Sequence, residues 1–403
     1  MLPHPRVPLK FLTSITSGGT PKPEPGNWNG DIPFVTPPDL NGLDGKTVQA
    51  WGRTVTEVGA AQGSTVVSDA VLLSCRAPIG HIGTVRESIA FNQGCKALKP
   101  PRIEDLRYLA YALVAERKAL DVAGRGTTFM ELSTTDLSGC DVSWPQNKSE
   151  RQRIADYLDR ETGEIDTMIA KLDELARALR ERAADVPTLF ALGQNAARED
   201  DLHSPLAGIP DHWDRTRFGF DFTESTERNG DDPPGPLLSI SEYRGVELNT
   251  RSEGQQASLD VSNYRVVRPN QLAANMMWLN HGGLGVSKLT GYISPDYKAF
   301  WISKRFNPRY VHHLFRSSRY VAYFQAIGTG VRPNAQRVTK TALDMMPVPL
   351  PPLADQRRIA DHLDEVTSRI DTMLAKVSEL KSLLVERRAA LITDVVTGRK
   401  EVA

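Results

Sequence analysis

Cysteine is scarce in this chain. Three occur in 403 residues, Cys75, Cys95 and Cys140, with no CxxC pair and no Cys/His ligand spacing. A disulfide framework is excluded as the source of stability, and the spacing argues against a structural zinc. The thiols read as reduced and the protein as cytoplasmic. Long apolar runs are also lacking. The most apolar stretches, 69–74 and 345–353, are far shorter than the ~20 residues of a membrane helix. The opening MLPHPRVPLKFL has no apolar core of signal-peptide length. Net charge is zero, with 49 basic and 49 acidic side chains. No global basic excess therefore points to nucleic acid. Catalytic signatures are missing as well. There is no GxxxxGK[ST] loop, and GGLGVSK (282–288) has the wrong spacing for one. No GxGxxG follows a strand, no HExxH occurs, and His312-His313 has no acidic neighbour in sequence. DDPPG (231–235) faintly echoes a loop of amino-methyltransferases, but Gly235 stands where a stacking aromatic would be needed, so it reads as a plain turn. No cofactor or metal site is expected in this chain.

What the sequence does contain is a repeat. IDTMIAK at 165–171 returns as IDTMLAK at 370–376, 205 residues on. The match extends over 151–185 and 356–390, with more than half the positions identical. Apolar residues in the first copy fall at Ile154, Leu158, Ile165, Met168, Leu172, Leu175 and Leu179. In the second they fall at Ile359, Leu363, Val366, Ile370, Met373, Val377, Leu380 and Leu384. Steps of three and four make a heptad seam, which keeps an apolar stripe facing a partner helix. Each copy follows a proline-bearing run, Trp144-Pro145 and PVPLPPL (347–353), with Ser149 and Asp355 as N-cap candidates. About 30 residues of helix would span roughly 45 Å. Two such helices in one chain can cover each other's stripes, and an antiparallel pair with a globular head at each end is the expected arrangement.

The segments before each helix echo each other more faintly. Strand-like runs at 65–85 and 264–289 are followed by helix-like stretches at 103–120 and 308–325, then by glycine-led loops at 124–137 and 328–343. The expected fold is α+β: two mixed α/β heads, the target-recognition domains of the family resemblance given below, separated by two long antiparallel coiled-coil helices, in a pseudo-twofold internal repeat. The boundaries read as 1–148 for the first head, 149–185 for the central helix, 186–212 for a linker, 213–348 for the second head, and 349–403 for the C-terminal helix and tail.

One local charge pattern stands out. No acidic residue lies between Asp296 and Asp344, while Lys298, Lys304, Arg305, Arg309, Arg316, Arg319, Arg332, Arg337 and Lys340 do, among many aromatics. A phosphate backbone demands such a basic stretch; an amphipathic helix with a solvated basic face would also produce it. Arg fits the guanine edge, and Asn or Gln the adenine edge, with two hydrogen bonds each. Loop residues of these types occur at corresponding places in both heads. The DNA-contact candidates are Arg76, His81, Asn92, Gln93, Arg125, Thr127 and Thr128 in the first head. In the second they are Asn275, Asn280, His281, Lys288, Arg332, Asn334, Gln336 and Arg337. Off the seam, Arg153, Asp156, Asp159 and Asp166 recur as Arg358, Asp361, Asp364 and Asp371. They are candidates for a partner surface used twice, or for a solvated face.

The chain resembles the specificity subunits of Type I restriction–modification systems. The likeness rests on LPPLADQRRIADHLDEVTSRIDTMLAKVSEL (350–380), its partial copy RIADYLDRETGEIDTMIAKLDEL (153–175), APIGHIGTV (77–85), FNQGCKAL (91–98) and GTTFMELSTTDL (126–137). The first copy lacks the Pro-Pro-Leu lead-in, and the second head lacks a clear Ala-Pro-Ile-Gly loop. The resemblance implies a non-catalytic subunit that reads double-stranded DNA at a split, asymmetric target. It implies docking of two DNA adenine methyltransferase subunits, which restriction–translocase subunits can join. S-adenosylmethionine, ATP and Mg²⁺ would belong to those partners. The competing readings are a fused methyltransferase or nuclease with a degenerate motif, and a coiled-coil adaptor that binds proteins without DNA specificity.

Overall fold

In the computed structural model the described residues are 4–124, 131–192, 204–241, 244–250, 260–329 and 337–402. The first head contributes β1 (Ser14–Ser17), β2 (Ala70–Ser74), β3 (Ile82–Val85), β4 (Cys95–Lys99), α1 (Leu106–Ala115) and α2 (Arg117–Ala123). The long helix α3 (Lys148–Ala191) follows. The second head contributes β5 (Phe222–Ser225), β6 (Leu272–Ala274), β7 (Leu284–Val286), β8 (Lys298–Ile302), α4 (Pro308–Phe315) and α5 (Ser318–Ile327). The second long helix is α6 (Leu353–Val396). Each long helix has 44 residues, a rise of about 66 Å rather than the expected 45 Å. Their caps also fall earlier than expected. Asn147 Oδ1, not Ser149, accepts the first free N–H, that of Ser149 at 2.8 Å. Asp355 lies inside the first turn of α6, where its charge favours the helix N-terminus.

The linear succession of head, helix, linker, head and helix does not describe the compact units. One unit is Met1–Leu172 with Ser378–Ala403, and the other is Asp173–Val377. Each long helix is thus shared. In unit 1 the sheet order is β1-β4-β2-β3, all antiparallel. β2, sequence AVLLS, is buried along its whole length, which explains its unbroken apolar run. The sheet packs on α1, on Ile154 and Leu158 of α3, and on Ile392, Val395 and Val396 of α6. In unit 2 the order β5-β8-β6-β7 repeats that of unit 1. Its core gathers Phe218, Phe222, Phe300, Phe315 and Tyr320 with Ile359 and Leu363 of α6 and Ala191 of α3. The start of one long helix and the end of the other therefore meet in each core.

Both heads are closed in the same way. Arg6–Pro8 pairs with Asp141–Ser143, and Asp214–Arg217 pairs with Pro347–Leu350, each antiparallel. The proline-bearing run is thus an edge strand, where missing N–H donors cost little. The helix-like stretches are each broken in two, at Glu116 and at Arg316–Ser317, so the interruption too is duplicated.

The seam is displaced from the expected one at four places. Met168, Leu175, Met373 and Leu380 are 42–51% exposed. The inward positions run Ala155, Leu158, Thr162, Ile165, Ile169, Leu172 and Ala176 in α3, and Ala360, Leu363, Thr367, Ile370, Leu374 and Val377 in α6. Threonine occupies a heptad position in each copy, and an apolar count skips it. Thr162 is tolerated because its hydroxyl donates to Leu158 O at 2.7 Å.

Candidate nucleic-acid interface

The end of the first head's sheet gathers several of the polar candidates. Ser74 of β2 pairs with Cys95 of β4, and Cys75 N donates to Gly94 O at 2.8 Å. Arg76 and Gln93 therefore emerge side by side, both exposed. Arg76 Nε donates to Glu131 Oε2 at 3.3 Å across a short bridge, and Gln93 accepts from Thr20 Oγ1. Asn92 is turned to local work, since its Oδ1 accepts from Gly94 N at 2.9 Å. His81 lies at the other side of the β2–β3 connection. Burial, then the nearby Arg117 charge, lowers its pKa, which keeps it neutral at neutral pH. Arg125, Thr127 and Thr128 lie outside the described residues.

In the second head, Asn275 accepts from Met277 N at 3.1 Å, Asn280 sits in the Leu279–His281 turn, and the His281 ring lies 4.4 Å from that of Trp278. Lys288 is exposed just after β7. Arg337, also exposed, exchanges backbone hydrogen bonds with Thr329. Arg332, Asn334 and Gln336 lie outside the described residues.

Among the described residues, four cations of the acid-free basic stretch are paired with carboxylates and two more are held by carbonyls. Lys298 pairs with Glu224 at 2.7 Å, Arg305 with Asp221 at 3.3 Å, Arg309 with Asp361 and Asp364, and Lys340 with Asp344 at 2.5 Å. Arg316 donates to the carbonyls of Ser241, Gly282 and Leu284, and Arg319 to that of Ala207. Tyr310, Phe315, Tyr320 and Phe324 are core. Neither a continuous phosphate-facing strip nor a wholly solvated face fits the described residues of this segment. Its counter-charges come mostly from distant parts of the chain.

The repeated acids off the seam turn out to join head to helix. In unit 1, Arg107 of α1 forks between Asp156, at 2.7 Å, and Asp159 of α3. Tyr111 adds an O–H bond of 2.7 Å to Asp159. In unit 2, Arg309 of α4 forks between Asp361 at 2.7 Å and Asp364 at 2.8 Å of α6, and His313 Nε2 lies 2.7 Å from Asp364. His313 thus has an acidic partner after all, supplied by a helix 51 residues on. Asp166 pairs with Lys46 at 2.8 Å and lies 3.2 Å from Arg388. Arg358 pairs with Asp355, whereas Arg153 and Asp371 are exposed. These clamps escape a sequence reading that searches each segment alone. Superposing the two helix-like stretches would reveal them, because Arg107 and Arg309 fall at matching places.

The second clamp carries a pH signature. Burial alone would raise the pKa of Asp364, but hydrogen bonds from His313 and Arg309 outweigh it and hold the carboxyl at about 2. A folded-state pKa below the ordinary 3.8 contributes stability above about pH 3.8 that is lost as pH falls toward 2. Acid unfolding of Asp364→Asn should lack this part of the loss between pH 4 and 2. An unchanged acid limb would show that the clamp contributes no net stability.

Two heads of one strand order, each pinned by an arginine fork to a long helix, define the class: a duplicated head-and-spacer scaffold. Residues 7–177 match the family model of the Type I restriction modification DNA specificity domain. The specificity subunit of the Type I restriction enzyme MjaIX of Methanocaldococcus jannaschii is 30% identical over 156 residues, 37% of this chain and 36% of that protein. The specificity subunit of EcoKI from Escherichia coli (strain K12) is 27% identical over 90 residues, 22% of this chain and 19% of that protein. A chain from a solved structure on complex assembly and conformational transition of the type I R-M system superposes with a TM-score of 0.66. It is 15% identical, and the match covers 98% of both chains, so the fold is common to almost the full length. The family match thus takes in the first head and the first part of α3, less than half of the chain. The matches span about a third or less of the length of these two curated relatives.

Proposed function

We propose that this chain is the DNA-recognition subunit of a Type I restriction–modification complex. It reads a bipartite, asymmetric duplex target, one half per head, and it performs no chemistry itself. The observation that carries this reading is the duplication of scaffold without duplication of loops. Both heads share a strand order and an arginine fork, yet their polar tips differ: Arg76 and Gln93 in one, His281 and Lys288 in the other. Equal scaffolds with unequal tips suit two half-sites of different sequence. Each unit joins the start of one long helix to the end of the other, which supports an antiparallel pair; the pseudo-twofold repeat is part of the same reading.

Two DNA adenine methyltransferase subunits dock on this scaffold, and restriction–translocase subunits join through the same complex. The repeated acids are engaged by the forks, so the better docking candidates are the repeated apolar residues left exposed. Unit 1 presents Met168 and Leu380; unit 2 presents their repeat counterparts, Met373 and Leu175. Met168 also borders a cleft of about 250 Å³ between α3 and α6, lined by Ile165, Arg387, Leu391 and Asp394. S-adenosylmethionine, ATP and Mg²⁺ act on the partners, where base flipping and methyl transfer occur. The complex works in the cytoplasm. Mapping methylated adenines in cells with and without the chain tests the proposal: a split motif should be present only with it.

A further inference from the structure

Lys96 is a charged residue in a place where an apolar one would fit. It lies in β4, between buried neighbours, and is 5% exposed. Its ammonium donates to Ser17 Oγ at 3.3 Å and to Thr134 Oγ1 at 3.0 Å, and these two hydroxyls are 3.4 Å apart. Ser17 and Thr134 are both exposed. A buried cation therefore sits beneath two hydroxyls that open to the surface. Among the described residues no carboxylate lies within ion-pair distance of it, and Glu131 is held by Arg76. Hydroxyls satisfy two of the three ammonium hydrogens but supply no countercharge. A buried charge left in that state is costly, and an apolar side chain of similar volume would avoid the cost.

The second head shows what a purely structural solution looks like. Lys96 pairs in register with Leu73, and Lys298 occupies the same place opposite Ala274. There the neighbouring strand supplies Glu224, which holds Lys298 at 2.7 Å and Arg265 at 3.2 Å. In the first head the neighbouring strand supplies Ser17 instead. One head answers its lysine with its own carboxylate, while the other leaves the charge to be met from outside. Lys96 lies one residue from the Ser74–Cys95 pair, beneath the tips that carry Arg76 and Gln93.

We propose that Lys96, with Ser17 and Thr134, forms an anion seat in the first head that takes one phosphodiester of bound DNA. This rests on the reading of the chain as a DNA-recognition subunit. The third ammonium hydrogen and the hydroxyls donate to phosphate oxygens. The contact fixes the register of the head on the backbone and reads no base.

The test uses the complex of the full chain with its methyltransferase partner and a duplex carrying the motif it methylates. Affinity is measured by fluorescence anisotropy over a range of salt. Lys96→Met should weaken binding about tenfold and reduce the slope of log affinity against log salt by about 0.9, the value of one lost phosphate contact. Its thermal midpoint should equal or exceed that of the wild type. An unchanged slope with a lowered midpoint would make Lys96 structural and overturn the seat. Should Lys96→Met fail to fold, Ser17→Ala with Thr134→Val keeps the ammonium and removes the two hydroxyls of the seat. Weaker binding at an unchanged slope supports the seat, and wild-type affinity overturns it. Equal DNA affinity for all proteins, with inorganic phosphate alone raising the wild-type midpoint, would assign the seat to free phosphate and overturn the DNA assignment. A wild-type complex that shows no salt-dependent binding sinks the DNA reading itself, which is a separate result.

Discussion

Replacing Asp105 with alanine should destabilise unit 1 by about 3–5 kcal/mol, the usual cost of orphaning a buried ion. Asp105 and Arg151 are each 7% exposed in their side chains. The pair is bidentate, with Arg151 Nε to Asp105 Oδ1 at 2.8 Å and Nη2 to Oδ2 at 3.1 Å. The remaining Nη1 donates to the carbonyls of Pro145 and Gln146, and the guanidinium lies 4.9 Å from the Trp144 ring. Arg151 thus ties the first turns of α3 to the head, and removing Asp105 strands its charge. Unit 2 does the same task without charge. Gln356, at the matching repeat position, accepts from Asn307 N at 2.7 Å and donates to the carbonyls of Arg305 and Pro351. The pair Asp105→Asn with Arg151→Gln should therefore recover most of the loss, as a double-mutant cycle in urea unfolding of the full chain would report. A single Asp105→Ala variant within about 0.5 kcal/mol of wild type would contradict this account.

Glutamate at Met168 and Leu380 should remove one of two partner subunits. Both residues are exposed, so the free chain should change by no more than about 0.5 kcal/mol. Within an apolar interface each new carboxylate loses its water without gaining a partner, at about 1–3 kcal/mol or more. Together they should weaken docking on unit 1 by more than about tenfold, since each 1.4 kcal/mol is a factor of ten. Native mass spectrometry should show one partner per chain in place of two. Glutamate at Leu175 and Met373 should remove the other, and all four together should leave the chain alone. Two partners retained by the four-fold variant would move the docking surface away from these helices.

The repeat made much of the architecture legible. A heptapeptide written twice announces two equal helices, and the strand-like runs before each copy announce two related heads. The errors came from chemistry that sequence spacing does not carry. Threonine at 162 and 367 keeps the heptad while hiding it from an apolar count, which puts Met168 and Met373 inward although both are exposed. Asp156 and Asp361 looked free because Arg107 and Arg309, which hold them, lie about fifty residues away. The basic stretch looked unpaired for the same reason, since Asp221, Glu224, Asp361 and Asp364 reach it only through the fold. The two-unit division was hidden as well, because the C-terminal end of α6 packs into the core of the first head.

The central claim is that two unlike heads read two half-sites. Single-molecule sequencing of DNA from cells that express this chain with its methyltransferase tests it most directly. Residues 213–348, the sequence-expected second head, would be exchanged for the corresponding residues of a Type I specificity subunit. The account predicts a split adenine-methylated motif with an unread gap, lost without the chain; after the exchange one half should change and the other should stay. Methylation that is the same with and without the chain, beside an active partner, would contradict it.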